Sequence, residues 1–392
     1  MHAFKRAFII VLDSFGIGAE PDAKEFGDGD CNTLRSIVAS KEYDTPNMKK
    51  IGLFNIDGVG CGTPEAQPIG AFARLRELSR GKDTTTGHWE IAGIISERPM
   101  PTYPDGFPPE VIAKLEKAFG RKIICNKPYS GTKVIHDYGR EQKETGALIV
   151  YTSADSVLQI AAHEDDVPVD QLYEYCRMAR KIMQGEHGVG RIIARPYVGE
   201  YPNYTRTPRR HDFSLDPTGD TMMDALARKG LATIGVGKIS DIFAGRSISR
   251  TLGINKDNVD GMEKTLKLMD EDFTGLAFVN LVDFDMQYGH RRDIDGYAKA
   301  STVFDRQLGE FMAKMKDDDL LMITADHGCD PGAPGTDHTR EYVPLLMYGK
   351  HVKAGLNLGT YPTFAMIGAT ISDIFGADLY TKGESLLPRI IE

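Results

Sequence analysis

The stretch Leu320-Leu321-Met322-Ile323-Thr324-Ala325-Asp326-His327-Gly328 decides how this chain is read. A short apolar run ends in a carboxylate, an imidazole and a glycine. That is the pattern of a strand covered on both faces whose carboxyl end delivers polar groups. The pattern recurs at 7–12, which ends at Asp13 and then Gly16-Ile17-Gly18, and at 276–282, followed by Asp283-Phe284-Asp285 and Gly289-His290. Runs at 231–236 and 343–348 read as further buried strands. Helical periodicity appears at 221–229, 261–270, 297–316 and 363–375. The alternation predicts an α/β fold with a mainly parallel sheet and helices on both faces. In open parallel sheets ligands bind beyond the carboxyl ends of the strands, so Asp13, Asp285 and Asp326-His327 are expected at one edge.

At 392 residues the chain is longer than one hydrophobic core usually supports, which predicts two domains. Pro- and turn-rich stretches at 98–104 and 201–217 bracket a short amphipathic helix at 110–119, a strand at 147–151, a helix at 170–183 and a strand at 191–194. A smaller α/β cap domain, 101–217, is therefore expected as an insertion in a core made of 1–100 and 218–392. A net charge of −9 argues against nucleic acid as a partner, because backbone binding needs a dense positive surface. The five cysteines are odd in number and form no C-x-x-C pair, which points to a reducing compartment with neither disulfides nor a thiolate metal site. Lys5 and Arg6 precede an apolar stretch too short for a secretion signal, and no segment approaches a membrane span. The expectation is a cytoplasmic protein, monomeric, with no membrane partner.

The chemistry follows from the residue types. Asp13, Asp285, Asp326, His290, His327 and His338 make an inventory of hard oxygen and borderline nitrogen donors suited to two divalent metal ions. Two such ions side by side are machinery for phosphoryl transfer. The five-residue gap from Asp285 to His290 exceeds one α-helical turn, so a loop is expected to bring them together. Asp283 and Asp337 rank below Asp285 and His338 as ligands. Gly81-Lys82-Asp83-Thr84-Thr85-Thr86-Gly87-His88-Trp89-Glu90 has the capping residues of a helix N-terminus, where a hydroxyl gains from free amides and the dipole. Such a hydroxyl, next to a metal, is a candidate nucleophile. The residues alone do not choose among Thr84, Thr85 and Thr86. The basic run Thr205-Arg206-Thr207-Pro208-Arg209-Arg210-His211, with Arg191 and Arg195, is either a solvated face or a set of phosphate-binding forks.

These motifs, with Tyr151-Thr152-Ser153-Ala154-Asp155-Ser156-Val157-Leu158-Gln159 and Gly237-Lys238-Ile239-Ser240-Asp241-Ile242, resemble the bacterial phosphopentomutase family of the alkaline phosphatase superfamily over essentially the whole chain. The resemblance implies an alkaline-phosphatase-like core with an inserted cap domain. It also implies interconversion of ribose 1-phosphate and ribose 5-phosphate, and of the 2-deoxy sugars, through phosphothreonine at Thr84 and a 1,5-bisphosphate. One metal would be held by Asp13, Asp326 and His327, the other by Asp285, His290 and His338, with Thr84 between them. Mn²⁺ is the implied ion and a glucose 1,6-bisphosphate-type sugar the implied activator. Ser153, Asp155, Val157, Arg191, Ile193 and Arg206, with Lys238, would contact the sugar phosphate. The alternatives are a cofactor-independent phosphoglycerate mutase-like enzyme, which shares the core, and a metal-dependent phosphomonoesterase.

Overall fold

The computed structural model describes residues 3–391. The chain divides into two compact units, one running up to Arg98 and resuming at Pro217, the other comprising Pro99–Asp216. Among the described residues the first unit has an eight-stranded sheet. In spatial order its strands are Arg250–Thr251, Ala232–Val236, Gly275–Leu281, Arg6–Leu12, Asp319–Thr324, Val343–Tyr348, Ala71–Leu75 and Leu356–Tyr361. Pairing is parallel except where Val343–Tyr348 runs against both of its neighbours. Every residue of Arg6–Leu12, Gly275–Leu281 and Asp319–Thr324 is buried, so both faces of the central strands are covered. That is why they read as unbroken apolar runs rather than alternating ones.

The exceptions within those runs set the register. Arg6 and Asp319 open adjacent parallel strands opposite one another, and Arg6 Nε and Nη2 each donate to the Asp319 carboxylate at 2.7 Å, out of contact with water. Arg6 Nη1 donates to the carbonyls of Met269 and Glu271 at 3.1 and 2.7 Å, so the buried guanidinium is satisfied on both sides. A slip of one residue would break this pair and turn every side chain to the opposite face. Held in this register, Leu12 lies opposite Leu281 and Val11 opposite Thr324, which brings Asp13 and the segments after both neighbouring strands to one edge.

The second unit has its own sheet, in order Ile123–Pro128, Leu148–Thr152, Val157–His163, Arg191–Val198 and Thr205–Arg206, with His211–Ser214 also pairing to Arg191–Val198. Side chains alternate across it. Leu148 and Val150 join a core with Leu115 and Cys176 from the helices Pro109–Phe119 and Val169–Ile182. Ile149 and Tyr151 face the other way, onto Val134 and Ile135 of the helix Gly131–Thr145.

Candidate active site

Three carboxylates and three imidazoles meet beyond the sheet edge. Asp13 follows Arg6–Leu12 directly, and Asp326-His327 stand two residues past Asp319–Thr324. Asp285 lies in a π-helical turn, Phe284–Gly289, rather than in the expected loop. His290 N donates to Asp285 O at 3.1 Å, an i→i+5 bond. The five-residue spacing is thus the period of one wide helical turn, a form that recurs at functional sites. It puts His290 Nε2 3.2 Å from Asp285 Oδ2.

Donor atoms of Asp13, Asp326 and His327 lie within 4.8 Å of one another, as do those of Asp285, His327 and His338. His327 Nε2 is 3.4 Å from Asp13 Oδ1 and 3.3 Å from Asp326 Oδ2; His338 Nε2 is 3.3 Å from Asp285 Oδ1 and 3.1 Å from His290 Nε2. The outer ring nitrogens are engaged elsewhere. His290 Nδ1 donates to Thr336 O at 2.6 Å and His327 Nδ1 to Gly328 O at 3.0 Å, which turns both Nε2 atoms inward. Asp283 and Asp337 stand outside the cluster. Asp283 Oδ2 accepts from Asn258 N, and Asp337 Oδ1 accepts from His338 N.

The donor set fits divalent cations. Asp13 Oδ1, Asp285 Oδ1 and Asp326 Oδ2 are buried and accept no hydrogen bond, one orphaned oxygen from each carboxylate. Burial, reinforced by Asp326, pushes Asp13 upward, while the hydrogen bond to Asp285 raises His290 to about 9. Three buried carboxylates with inward oxygens are costly unless positive charge compensates them.

Residues that carry no charge pattern in the sequence hold this cluster. Asn280, buried within its strand, donates to Asp13 Oδ2 at 2.7 Å, and Ser14 N donates to Asp326 Oδ1 at 3.0 Å. His88 is wholly buried, with Nδ1 2.8 Å from Thr84 O and 3.1 Å from Asp326 Oδ2. Cys329 Sγ donates to Asp337 O at 3.5 Å and forms a further potential ligand group with Asp285 and His290, a thiol that the cysteine count alone left out.

Thr84 opens the helix Thr84–Ile91, capped by Asp83, whose side chain accepts from Thr86 N at 3.1 Å. Thr84 Oγ1 lies 3.2 Å from His327 Nε2, whereas Thr86 Oγ1 is committed to Asp83 Oδ2 at 2.6 Å. The helix sits directly on the strand end, since a methyl at Gly87 would overlap the carbonyl of Asp326. The loop before it is tied by Arg340, which donates to Ser79 O at 2.9 Å and Gly81 O at 2.7 Å and pairs with Glu77 and Glu20. Lys238 follows the strand Ala232–Val236, and its charge acts on Asp283.

In the second unit, Arg191 starts its strand opposite Val157 and lies 3.7 Å from Asp155 and 3.6 Å from Asp212; Asp155 N donates to Ser153 Oγ at 3.3 Å. Val157 and Ile193 are buried. Arg206 pairs opposite Tyr197, at the far end of the strand that Arg191 begins.

Residues 5–379 match the metalloenzyme superfamily. The chain is 56% identical over 389 residues to a phosphopentomutase from Lachnoclostridium phytofermentans, covering 99% of this chain and all of that one. It is 53% identical to a phosphopentomutase from Acetivibrio thermocellus, covering 99% of this chain and all of that one. In structure it resembles the PH0037 protein from Pyrococcus horikoshii, with a TM-score of 0.50 at 14% identity over 98% of this chain and all of that one, a likeness of fold. Full-length identity at this level, on a sheet edge that gathers three carboxylates and three imidazoles, places the chain in the phosphopentomutase family of the metalloenzyme superfamily.

Proposed function

We propose that the chain acts as a phosphopentomutase, an isomerase that interconverts α-D-ribose 1-phosphate and D-ribose 5-phosphate and their 2-deoxy counterparts through phosphothreonine at Thr84. The observation that carries the reading is the position of Thr84 Oγ1, 3.2 Å from His327 Nε2 and on the first turn of a helix. A phosphoryl group on Thr84 Oγ passes to the free hydroxyl of the pentose monophosphate. The P–Oγ bond breaks, a bond to the sugar oxygen forms, and the proton lost by the sugar hydroxyl is balanced by one taken up at Thr84 Oγ, which is left as the free hydroxyl. The resulting 1,5-bisphosphate then returns its other phosphoryl group to Thr84, releasing the isomeric monophosphate. Free amides and the dipole at the helix start favour the phosphoryl charge.

Asp13, Asp326 and His327 would hold one divalent ion and Asp285, His290 and His338 the other, an oxygen–nitrogen set compatible with Mn²⁺. When bound, such ions supply positive charge that lowers a hydroxyl pKa and offsets charge on the transferred group. His88 Nδ1 donates to the Thr84 carbonyl and lies 3.1 Å from Asp326 Oδ2, which sets nucleophile and ligand side by side. Ser153, Asp155, Val157, Arg191, Ile193, Arg206 and Lys238 contact the sugar phosphate in this reading, and residues 101–217 form a substrate-binding cap domain. A glucose 1,6-bisphosphate-type sugar primes the enzyme, which works as a cytoplasmic monomer. Among the described residues no helix is long and apolar enough to cross a membrane.

Phosphorus NMR of ribose 1-phosphate with the purified protein tests the reading. The expected result is conversion to ribose 5-phosphate that requires Mn²⁺ and accelerates with glucose 1,6-bisphosphate. Stoichiometric release of inorganic phosphate would identify a phosphomonoesterase instead.

A further inference from the structure

The chain has one tryptophan, Trp89, and it sits on the helix Thr84–Ile91 that carries the nucleophile. Trp89 is 1% exposed, and its indole Nε1 donates to Ile242 O at 3.1 Å, the partner a buried indole needs. Ile242 ends a single helical turn, Ile239–Ile242, that follows Lys238. Downstream amides take the other carbonyls of this turn. Phe243 N donates to Ile239 O at 3.1 Å, Gly245 N to Ser240 O at 2.7 Å and Ala244 N to Asp241 O at 3.3 Å. The Ile242 carbonyl, at the end of the turn, receives the indole instead.

The start of the turn is fixed as well. Gly237 has a φ of +76°, and a methyl there would lie 2.5 Å from Asn280 O, on the strand residue whose side chain holds Asp13. Gly237 N donates to Gly253 O at 3.0 Å. Phe243 and His88 both pack on Phe278, each with 5.9 Å between ring centroids. The backbone that carries Lys238 is therefore held at one end by the strand next to the metal-ligand edge and at the other by the helix that Thr84 opens.

We propose that Trp89 is a positioning residue for phosphate recognition: its indole N–H fixes the Lys238 turn against the nucleophile helix and sets where the ammonium meets the substrate phosphate relative to Thr84 Oγ. The inference rests on the phosphopentomutase reading, in which Lys238 contacts the sugar phosphate. A lysine ammonium is a point charge on a flexible stem, so its aim depends on the backbone beneath it. Phenylalanine fills similar apolar space but cannot hold the carbonyl.

A double-mutant cycle of Trp89→Phe and Lys238→Met in the metal-loaded full chain tests the coupling. Lys238→Met should raise KM for ribose 5-phosphate about tenfold or more, the range of a charged hydrogen bond. Trp89→Phe should raise it about threefold to tenfold, with kcat within about twofold of the parent. Because the indole acts through Lys238, the double variant should stay within about twofold of the KM of Lys238→Met alone. A tryptophan that only stiffens the helix under Thr84 gives a lower kcat at unchanged KM, and its cost multiplies with that of Lys238→Met. That pattern, or a parental KM in Trp89→Phe, overturns the proposal. Should Trp89→Phe fail to fold, Gly237→Ala moves the same turn from its other end and leaves the indole as the sole tryptophan signal. Its emission and KM should then shift together, and any other pairing of the two overturns the proposal. If the parent turns over no pentose phosphate, the functional reading fails separately, and the cycle is repeated with inorganic phosphate, its Kd read from the Tm shift. A Trp89→Phe penalty that vanishes in the Lys238→Met background supports the coupling; a penalty that persists there, or none in either background, overturns it.

Discussion

Asp13→Asn should change the sign of its effect on stability depending on whether metal is present. Asp13 is fully buried, one of its oxygens accepts from Asn280 at 2.7 Å, and the other has no hydrogen-bond donor while lying 3.4 Å from His327 Nε2. Asparagine keeps the shape and can keep the bond from Asn280, and its own amide can donate into the cluster. In chelator, the substitution removes a buried charge whose effective penalty is several kcal/mol. It also forfeits attraction to His327, so a net gain of about 1–2 kcal/mol remains. With metal at a hundred times its Kd, the parent gains about 2.7 kcal/mol by linkage. The variant, short of an anionic ligand, forfeits most of that. At about 2 °C per kcal/mol for a chain of this size, the parent Tm should rise roughly 5 °C on Mn²⁺ addition and the variant less than about 1 °C. Scanning calorimetry with and without chelator, alongside metal counting by mass spectrometry, reads both terms. A variant less stable than the parent in chelator that still responds fully to metal would refute the reasoning.

Two further substitutions probe how the site is held. Gly87→Ala drives a methyl into the carbonyl of Asp326, so the helix carrying Thr84 must move off the strand end; kcat should fall by several orders of magnitude, and a variant with parental kcat and Tm would show that this contact is not needed. Arg340→Met leaves Glu77 buried without its cation, takes from Glu20 one of the two guanidiniums it faces (Arg76 remains) and frees the Ser79 and Gly81 carbonyls, which should destabilise the first unit by about 3–5 kcal/mol in urea unfolding; a loss below about 1 kcal/mol, the scale of an exposed pair, would mean that the Glu77 carboxylate is compensated some other way.

The fold was legible where burial on both faces made strands into unbroken apolar runs. It was less so at Ala71–Leu75, which carries Arg74, and at Leu356–Tyr361, which alternates and is partly exposed. Nothing in the run 343–348 reveals that it is antiparallel, because strand direction depends on the connection rather than on the side chains. The charged donors stood out because a carboxylate or imidazole at the end of an apolar run is conspicuous. Asn280 and His88 did not, since one sits mid-strand and the other within a helix, and only the register reveals what they touch. The π-turn was missed for a related reason. Its five-residue period suits no regular α-helix, so the spacing of Asp285 and His290 read as a loop.

The account turns on a phosphoryl group carried by Thr84, and intact-mass spectrometry with peptide mapping tests this most directly. Protein incubated with Mn²⁺ and glucose 1,6-bisphosphate should gain the mass of one phosphate, mapped to Thr84, and exchange it on addition of ribose 5-phosphate. Thr84→Ala should lose the increment and turnover together, while Thr85→Ala and Thr86→Ala keep the increment. A phosphate mapped to Thr85 or Thr86, or no phosphoenzyme under any priming condition, would contradict it.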